Sequence, residues 1–363
     1  MIDLDMVSEV RKHSAAMEEN GRPTDEMLEY MYDEGLFKLF LPKALGGSMT
    51  PLPEALQTFE TAAYADGSFG WLVQLGSGAG FFAATLSPIA VEEFFTARNF
   101  FIAGSDRPLG TARKTDAGYI ISGSWPYASG ALIANLFTAT CRIVSDDEDD
   151  GALYAFAFTP EQVTIEEDWN AFGMKATGSH TIHVTEAIVP AYRRFDVAAP
   201  HFYYDHPAYH YPFLPFASAN IAATVIGVAR HFYEAARRQI ESKLSTDKEV
   251  DEMRHRHTLD ILNANETSFM QARQSYYDAV RTSWQTHMDG EVLDDEILDA
   301  VSDHSKMVAH AAVSGAQQLY RHLGMDMIME DNPLNRIYRD LLTASQHGLL
   351  IDAEGRIEEI STI

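Results

Sequence analysis

Trp169-Asn170-Ala171-Phe172-Gly173-Met174-Lys175-Ala176-Thr177-Gly178-Ser179 is the stretch on which the fold turns. Its last three residues, Thr177, Gly178 and Ser179, offer hydroxyls and backbone amides to a phosphate or ribityl chain, with the charge of Lys175 beside them. It is not a P-loop, because Gly-x-x-x-x-Gly-Lys is absent, and no Gly-x-Gly-x-x-Gly opens a helix anywhere in the chain. A nicotinamide-dinucleotide fold is correspondingly disfavoured. Immediately downstream the sequence has period two, with Thr181 to Val189 alternating apolar and polar residues as a strand does.

Working upstream, Asn99 to Ser105, Tyr119 to Ser124, Leu136 to Val144 and Ala152 to Thr159 are further short β-branched and aromatic runs between Gly, Asp and Pro clusters. They describe a small antiparallel sandwich or barrel. The acidic run Asp146 to Asp150 between two of them reads as a solvated hairpin loop. Before residue 98 the punctuation is helical. Arg22-Pro23-Thr24-Asp25 caps a run carrying Leu28, Met31, Tyr32 and Leu36, and Pro51-Leu52-Pro53 precedes Leu56, Phe59, Ala62 and Ala63 on one face. Gly67, Gly70, Gly76, Gly78 and Gly80 lie among aromatics and point to close helix packing or a cavity wall.

Toward the C-terminus, from Ser218, the period returns to 3.6. Ile221, Val225, Val228, Phe232 and Ala236 form one stripe, Phe269, Ala272, Tyr276 and Val280 a second, and Ala309, Ala312, Ala316, Leu319 and Leu323 a third. A last helix runs from Leu334 into the 340s, so the four segments read as an antiparallel four-helix bundle. The predicted fold is α+β and mainly α. It has a helical part over 1–97, a central β part over 98–200 and a helical bundle over 201–363.

The 363 residues carry 53 Asp and Glu against 27 Lys and Arg, a formal net charge of −26, which argues against nucleic acid as a partner. A 46% hydrophobic and 11% aromatic content is too rich for disorder. Cys141 is the single cysteine, so neither an intramolecular disulfide nor a multi-cysteine metal site is available, and a reducing cytoplasm is the expected home. No basic start with an apolar run marks a secretory signal, and no stretch is read as a membrane span.

Two more segments carry candidate chemistry. Gly123-Ser124-Trp125-Pro126-Tyr127-Ala128-Ser129-Gly130 places a hydroxyl and an unhindered backbone N–H after aromatics at a strand end, suited to a flat polar ligand edge. The plain alternative is a strand turning a corner. In Arg336-Ile337-Tyr338-Arg339-Asp340-Leu341-Leu342-Thr343-Ala344-Ser345-Gln346-His347, Arg336 pairs with Asp340 at i, i+4, while Arg339, Thr343 and His347 share another face. His201, His206 and His210, His255 and His257, and His304 and His310 are spaced suggestively, yet no His-Glu-x-x-His occurs, and no metal is expected.

The order of helices, sheet and bundle, with these three motifs at their intervals, resembles the acyl-CoA dehydrogenase superfamily over nearly the whole chain. Gly35-Leu36-Phe37-Lys38-Leu39-Phe40-Leu41-Pro42 followed by Gly46-Gly47 is similar to that superfamily's opening pattern, and Asp66-Gly67-Ser68-Phe69-Gly70-Trp71 resembles its next one. The details look like its two-component, group D flavin-dependent monooxygenase branch. Ala128-Ser129-Gly130 stands where dehydrogenases show Thr-Asn-Gly or Ser-Asn-Gly, and residues 173–179 are similar to Gly-Met-Arg-x-Thr-Gly-Ser with Lys175 for the arginine. Arg339-Asp340 and Gln346-His347 match the branch's ending.

That resemblance implies FAD or FMN as a reduced cosubstrate supplied by a separate flavin reductase, with O2 and a small organic molecule as the other substrates. It implies reaction through a C4a-(hydro)peroxide, with His347 protonating or stabilising the peroxide and Ser129 bonding near the flavin N5. Tyr127, Gly130, Trp169, Lys175, Thr177, Gly178, Ser179 and Arg339 would hold the cofactor. A homotetramer packed through the bundles is the family's usual assembly, and Ala309, Ala312, Gly315 and Ala316 offer a close-packing face for it or for a contact within the chain. Acyl-CoA dehydrogenation would need a carboxylate base on the last helix or the first bundle helix. Between Tyr338 and Ile351 the only acid is Asp340, and Phe213 to Ile226 holds none. A divergent dehydrogenase or flavin oxidase is the alternative reading, and a non-catalytic scaffold the third. Gln74-Leu75-Gly76-Ser77-Gly78-Ala79-Gly80 replaces a substrate-facing histidine of many aromatic hydroxylases, which implies a non-phenolic or bulkier ligand. Local charge is expected to depart from the global excess, since 171–185 contains Lys175 and no acid.

Overall fold

The computed structural model describes residues 2–145, 150–196, 201–246 and 252–351. Most of the acidic run beginning at Asp146 falls outside the described residues. Helix α1 (Leu4–Asn20) starts where the Asp3 side chain accepts from Met6 N at 2.9 Å, and it stops at Gly21 in the left-handed conformation. Val7, Val10, Ser14 and Met17 are its buried face, at the 3–4 spacing of one helix stripe. Thr24 caps α2 (Asp25–Asp33), and α3 (Leu52–Ala65) follows a proline-marked turn. Asp66 caps α4 (Gly67–Gly78), accepting from Phe69 N at 3.1 Å, and α5 (Pro88–Phe95) completes this helical part.

Seven strands form one hydrogen-bonded sheet: β1 (Ile102–Thr115), β2 (Gly118–Ala128), β3 (Leu136–Val144), β4 (Leu153–Phe158), β5 (Thr164–Glu166), β6 (His180–Val189) and β7 (Arg194–Phe195), in the order β5-β6-β2-β1-β3-β4-β7. β4 approaches β6, four places away in that order, so the sheet curls over its own core. The wholly antiparallel expectation is corrected at one pair. β1 and β3 run parallel, with Ile102 opposite Leu136, because β6 occupies the free edge of β2 and the chain crosses to the other side of β1. Trp125 fills the centre of the curl. Its Nε1 donates to the carbonyls of Arg107 and Thr140, both at 3.1 Å, and a Cβ on Gly110 or Gly123 would stand 2.2 or 2.4 Å from its ring.

The bundle consists of α6 (Phe213–Thr246), α7 (Glu252–Met288), α8 (Asp295–Tyr320) and α9 (Pro333–Ala344). α6 begins five residues before the expected Ser218, because Pro215 is tolerated in a helix's first turn. It also corrects the membrane expectation. α6 is long and apolar enough to cross a bilayer, yet most of its apolar window is buried inside the protein, as the central helix of a bundle requires. The Ala309, Ala312, Gly315 and Ala316 stripe is buried as well, and a Cβ on Gly315 would stand 2.1 Å from the Tyr233 hydroxyl of α6. That face is spent within the chain. The loop leading into β6, the end of β2, α4 and the residues after α9 converge on one place.

Candidate active site

A chain of hydroxyls links three of the predicted residues. Thr177 Oγ1 donates to the Met174 carbonyl at 2.7 Å, so its one proton is committed there. Thr177 and Ser179 hydroxyls are 2.6 Å apart, and Ser179 and Ser129 hydroxyls 2.7 Å apart. With Thr177 donating away, Ser179 must donate to Thr177, and Ser129 to Ser179. Trp71 Nε1 completes the run by donating to Ser129 Oγ at 3.1 Å. Every proton in the run therefore points toward Met174, and Ser129 keeps one lone pair without a donor. Ser129, Thr177 and Ser179 are all buried.

The loop is shaped to hold this run. Met174 and Gly178 are left-handed, with φ of 55° and 49°, and the intervening 175–177 turn brings Thr177 back over the Met174 carbonyl. Trp169 Nε1 donates to that same carbonyl at 3.1 Å. The Trp169 ring stands edge-on to Tyr127, 6.2 Å between centroids, and Tyr127 is exposed with a φ of 68°. Gly130 N donates to the Thr177 carbonyl at 2.6 Å, and a Cβ on Gly130 would lie 2.2 Å from Phe101. The loop and the end of β2 thus form one wall with an aromatic edge.

Arg339 and Asp340 act on this wall from behind. Arg339 Nη1 donates to the Phe172 carbonyl at 2.8 Å and to Glu18 at 2.5 Å, and its Nε donates to Asn335 at 2.7 Å. Arg339 is therefore placed as a fastener of the loop, with its guanidinium buried and engaged. Asp340 Oδ1 accepts from Met174 N at 2.6 Å, and Gly173 between them has no room for a Cβ, which would fall 2.3 Å from the Arg339 carbonyl. Burial, then the neighbouring Asp66 carboxylate, push the Asp340 carboxyl well above the usual carboxylate range. The expected pairing of Arg336 with Asp340 is not among the ion pairs of the described residues.

His347 follows α9 and faces the same place, 6.1 Å from the Trp71 ring. Part of its surface is open to water, but protein surrounds it on most sides, as at the wall of a recess. That burial lowers its pKa below the ordinary imidazole value, while the Asp106 carboxylate opposes the shift. The net shift favours the neutral imidazole. Leu349 N donates to Nδ1 at 3.3 Å, which leaves the ring proton on Nε2.

Lys175 shares Glu18 with Arg339, at 3.7 Å, so the loop's one cation is compensated by α1 and the wall is near-neutral, at the neutral end of the expected neutral-to-positive exception. Glu18 and Asp106 are members that residue patterns do not single out, while Trp71 and Asp340 stand in sequence motifs without being marked as members of the site. Asp106 has no signal at all, since it lies at the β1 irregularity between Ser105 and Gly110. The suggestive histidines pack against different rings: His206 meets Tyr209 edge-on, His210 lies tilted against Phe202, and His257 meets His322 edge-on.

Two family profiles match the chain. "Acyl-CoA dehydrogenase, N-terminal domain" covers residues 6–87, and "Acyl-CoA dehydrogenase, C-terminal domain" covers 219–351. A pigment production hydroxylase of Rhodococcus sp. is 28% identical over 348 residues, covering 92% of this chain and 87% of that protein. An indole-3-acetate monooxygenase of Pseudomonas putida is 26% identical over 332 residues, with 90% and 84% covered. Among solved structures, 3-HSA hydroxylase from Rhodococcus sp. superposes with a TM-score of 0.87 at 21% identity over 95% of this chain and 91% of that one. XiaF from Streptomyces sp., in complex with FADH2 and glycerol, gives 0.84 at 22% identity, with 95% and 89% covered. The structural likenesses establish the fold.

Proposed function

The chain belongs to the acyl-CoA dehydrogenase superfamily and is a flavin-dependent oxidoreductase, and from that premise we propose that it is the oxygenase component of a two-component monooxygenase. It would take reduced flavin from a separate reductase and use O2 to oxygenate a small organic substrate. The observation that carries this reading is the direction of the hydroxyl run. Ser129 has committed its proton to Ser179 and keeps a lone pair for an incoming N–H. The central ring nitrogen of reduced flavin is such a donor, whereas in oxidised flavin the same atom only accepts. The remaining Ser129 lone pair and the aromatic edge beside it fit a reduced isoalloxazine.

Bound reduced flavin would supply the two electrons that O2 requires. The chain's part is positional and protonic. Tyr127, Gly130 and Trp169 would present the flat wall, with Ser129 at its centre. Thr177, Gly178 and Ser179 would hold the ring's surroundings, and Lys175 would lie nearest the phosphates. Arg339 would keep the loop in place through Phe172. His347 Nε2–H would donate a hydrogen bond across the recess from Ser129, and as a neutral imidazole it would do so without adding charge to the site.

Among the described residues, neither the last helix nor the 213–226 stretch of α6 offers a free carboxylate base for acyl-CoA dehydrogenation. Asp340, the one acid of the last helix, is turned onto Met174 N behind the loop. Homotetramer assembly belongs to the same proposal. Met270 of α7 and Met307 of α8 stay exposed on the bundle's outside, which supports a contact there in place of the spent alanine face. Sedimentation velocity measures it, a fourfold mass being expected. Anaerobic titration tests the cofactor reading directly. Reduced FMN or FAD should bind at least about tenfold more tightly than the oxidised form. Tight copurified oxidised FAD that bleaches on addition of an acyl-CoA would replace this reading with the dehydrogenase one.

A further inference from the structure

Between α4 and α6, polar side chains lie in the interior with no partner. Asn220 and Thr224 are 2% and 0% exposed, and neither Asn220 Oδ1 nor Thr224 Oγ1 has a hydrogen-bond partner. Gln74, at 4% exposed, makes no hydrogen bond among the described residues either. An unpaired buried amide is costly, and folded proteins hold few of them without a reason.

These groups converge. Phe216, Asn220 and Thr224 are spaced i, i+4, i+8 on one stripe of α6, and Gln74 and Gly78 share a stripe of α4. A Cβ built on Gly78 would meet Asn220 Nδ2 at 3.6 Å and Gln74 Oε1 at 4.0 Å, and nothing closer. Gly78 has an ordinary helical φ of −58°, so neither conformation nor crowding demands glycine there. Gly70 and Gly76 of the same helix differ, since their Cβ atoms would fall 2.3 Å from Ala63 and 2.6 Å from Phe37. The missing side chain at Gly78 leaves a gap between two free carboxamides.

The gap adjoins the active site. Gln74 lies three residues past Trp71, about 4.5 Å along the helix axis, and Trp71 is the residue that bonds Ser129 and faces His347. The lining is apolar and aromatic beyond it, with the Phe81 and Phe216 rings 4.4 Å apart. No Asp, Glu, Lys or Arg occurs in α4 or in residues 213–229.

We infer that Gln74 and Asn220, with Thr224 behind them, form the substrate-recognition end of the active site and select an uncharged molecule with a ring-sized apolar body. That molecule carries a group that both donates and accepts, such as an amide or a hydroxyl, which two carboxamides pair with. A carboxylate there would be buried without a cation, which is strongly unfavourable. The inference rests on the monooxygenase reading.

Indole-3-acetamide and indole-3-acetate, alike in shape and different in charge, are suitable probes. Calorimetric titration of the protein loaded anaerobically with reduced flavin should show the amide binding at least about tenfold more tightly than the acetate. Gln74→Leu and Asn220→Leu should each weaken the amide about tenfold, and leave reduced-flavin affinity unchanged. Gly78→Ala is the control for folding. Its new methyl group fits without collision, so thermal melting should hold while amide affinity falls. Failure of reduced flavin to bind the unaltered protein would sink the monooxygenase reading itself. If flavin binds, equal or tighter binding of the acetate, binding of neither probe, or unchanged amide affinity in a fully folded Gly78→Ala protein would each overturn the inference.

Discussion

The wall of the site and the space between α4 and α6 treat their buried polar groups in opposite ways. Along the wall, Trp71, Ser129, Ser179 and Thr177 are joined donor to acceptor, ending on the Met174 carbonyl. Between the helices, Asn220 and Thr224 keep buried oxygens with no partner. The first region is satisfied before any ligand arrives, so it can hold a fixed orientation for a cofactor at no reorganisation cost. The second carries an open deficit that a ligand can remove. A single chain that does both has divided its site into a preset half and a receptive half.

Exchanging one glycine in each half breaks the contrast most sharply. Gly173→Ala drives a methyl group against the Arg339 carbonyl, 2.3 Å away, and should cost about 3 kcal/mol, together with flavin binding. Gly78→Ala should change stability by less than about 0.5 kcal/mol, the usual range for a substitution that disturbs nothing. Denaturant unfolding of the two variants measures both, and equal costs would erase the distinction.

The next effect comes from the loop's rear support. Asp340→Ala removes the acceptor of Met174 N and should cost about 2 kcal/mol, whereas Asp340→Asn keeps an acceptor and resembles the protonated carboxyl. The raised pKa sets the sign with pH. Folded protein binds more protons than unfolded chain above the ordinary carboxylate range, so Asp340's contribution is present at low pH and is lost as pH rises through its elevated pKa. Unfolding titrations at several pH values should show that loss in the natural chain and its disappearance in Asp340→Asn.

Much of the fold is legible in the sequence. Period two against period 3.6 separates sheet from helices, because strands and helices each bury one regular face. Ser129, Thr177 and Ser179 stand out as hydroxyls beside glycines, and they meet. The second half of β1, from Arg107 to Lys114, is hidden because its side chains are charged and a proline interrupts it. The β1–β3 parallel pair is hidden because crossover is a property of the whole sheet, not of either strand. Glu18 and Asp340 meet the loop across more than 150 residues of chain, which no local spacing encodes. The unpaired state of Asn220 is likewise a fact of packing: its sequence neighbourhood reads as plain helix.

Smaller effects refine the preset half. Thr177→Val ends the hydroxyl run without its carbonyl anchor and frees Ser129 to donate or accept, so the preference for reduced over oxidised flavin should fall about threefold to tenfold. Paired anaerobic and aerobic titrations measure that ratio. At the edge of the recess, Asp106→Asn removes a charge that raises the His347 pKa. The acid break in the pH profile of flavin reoxidation, already below the ordinary imidazole value, should move lower still. A break that stays in place would separate Asp106 from His347.

Rapid mixing of the protein–reduced flavin complex with oxygenated buffer is the most direct trial of the central claim, since a site preset for reduced flavin and O2 must control how the flavin is reoxidised. Oxidised-flavin absorbance should recover in two phases, the second slower than free flavin's own reoxidation and lost in His347→Ala. A single phase at the rate of free flavin, with or without His347, would contradict it.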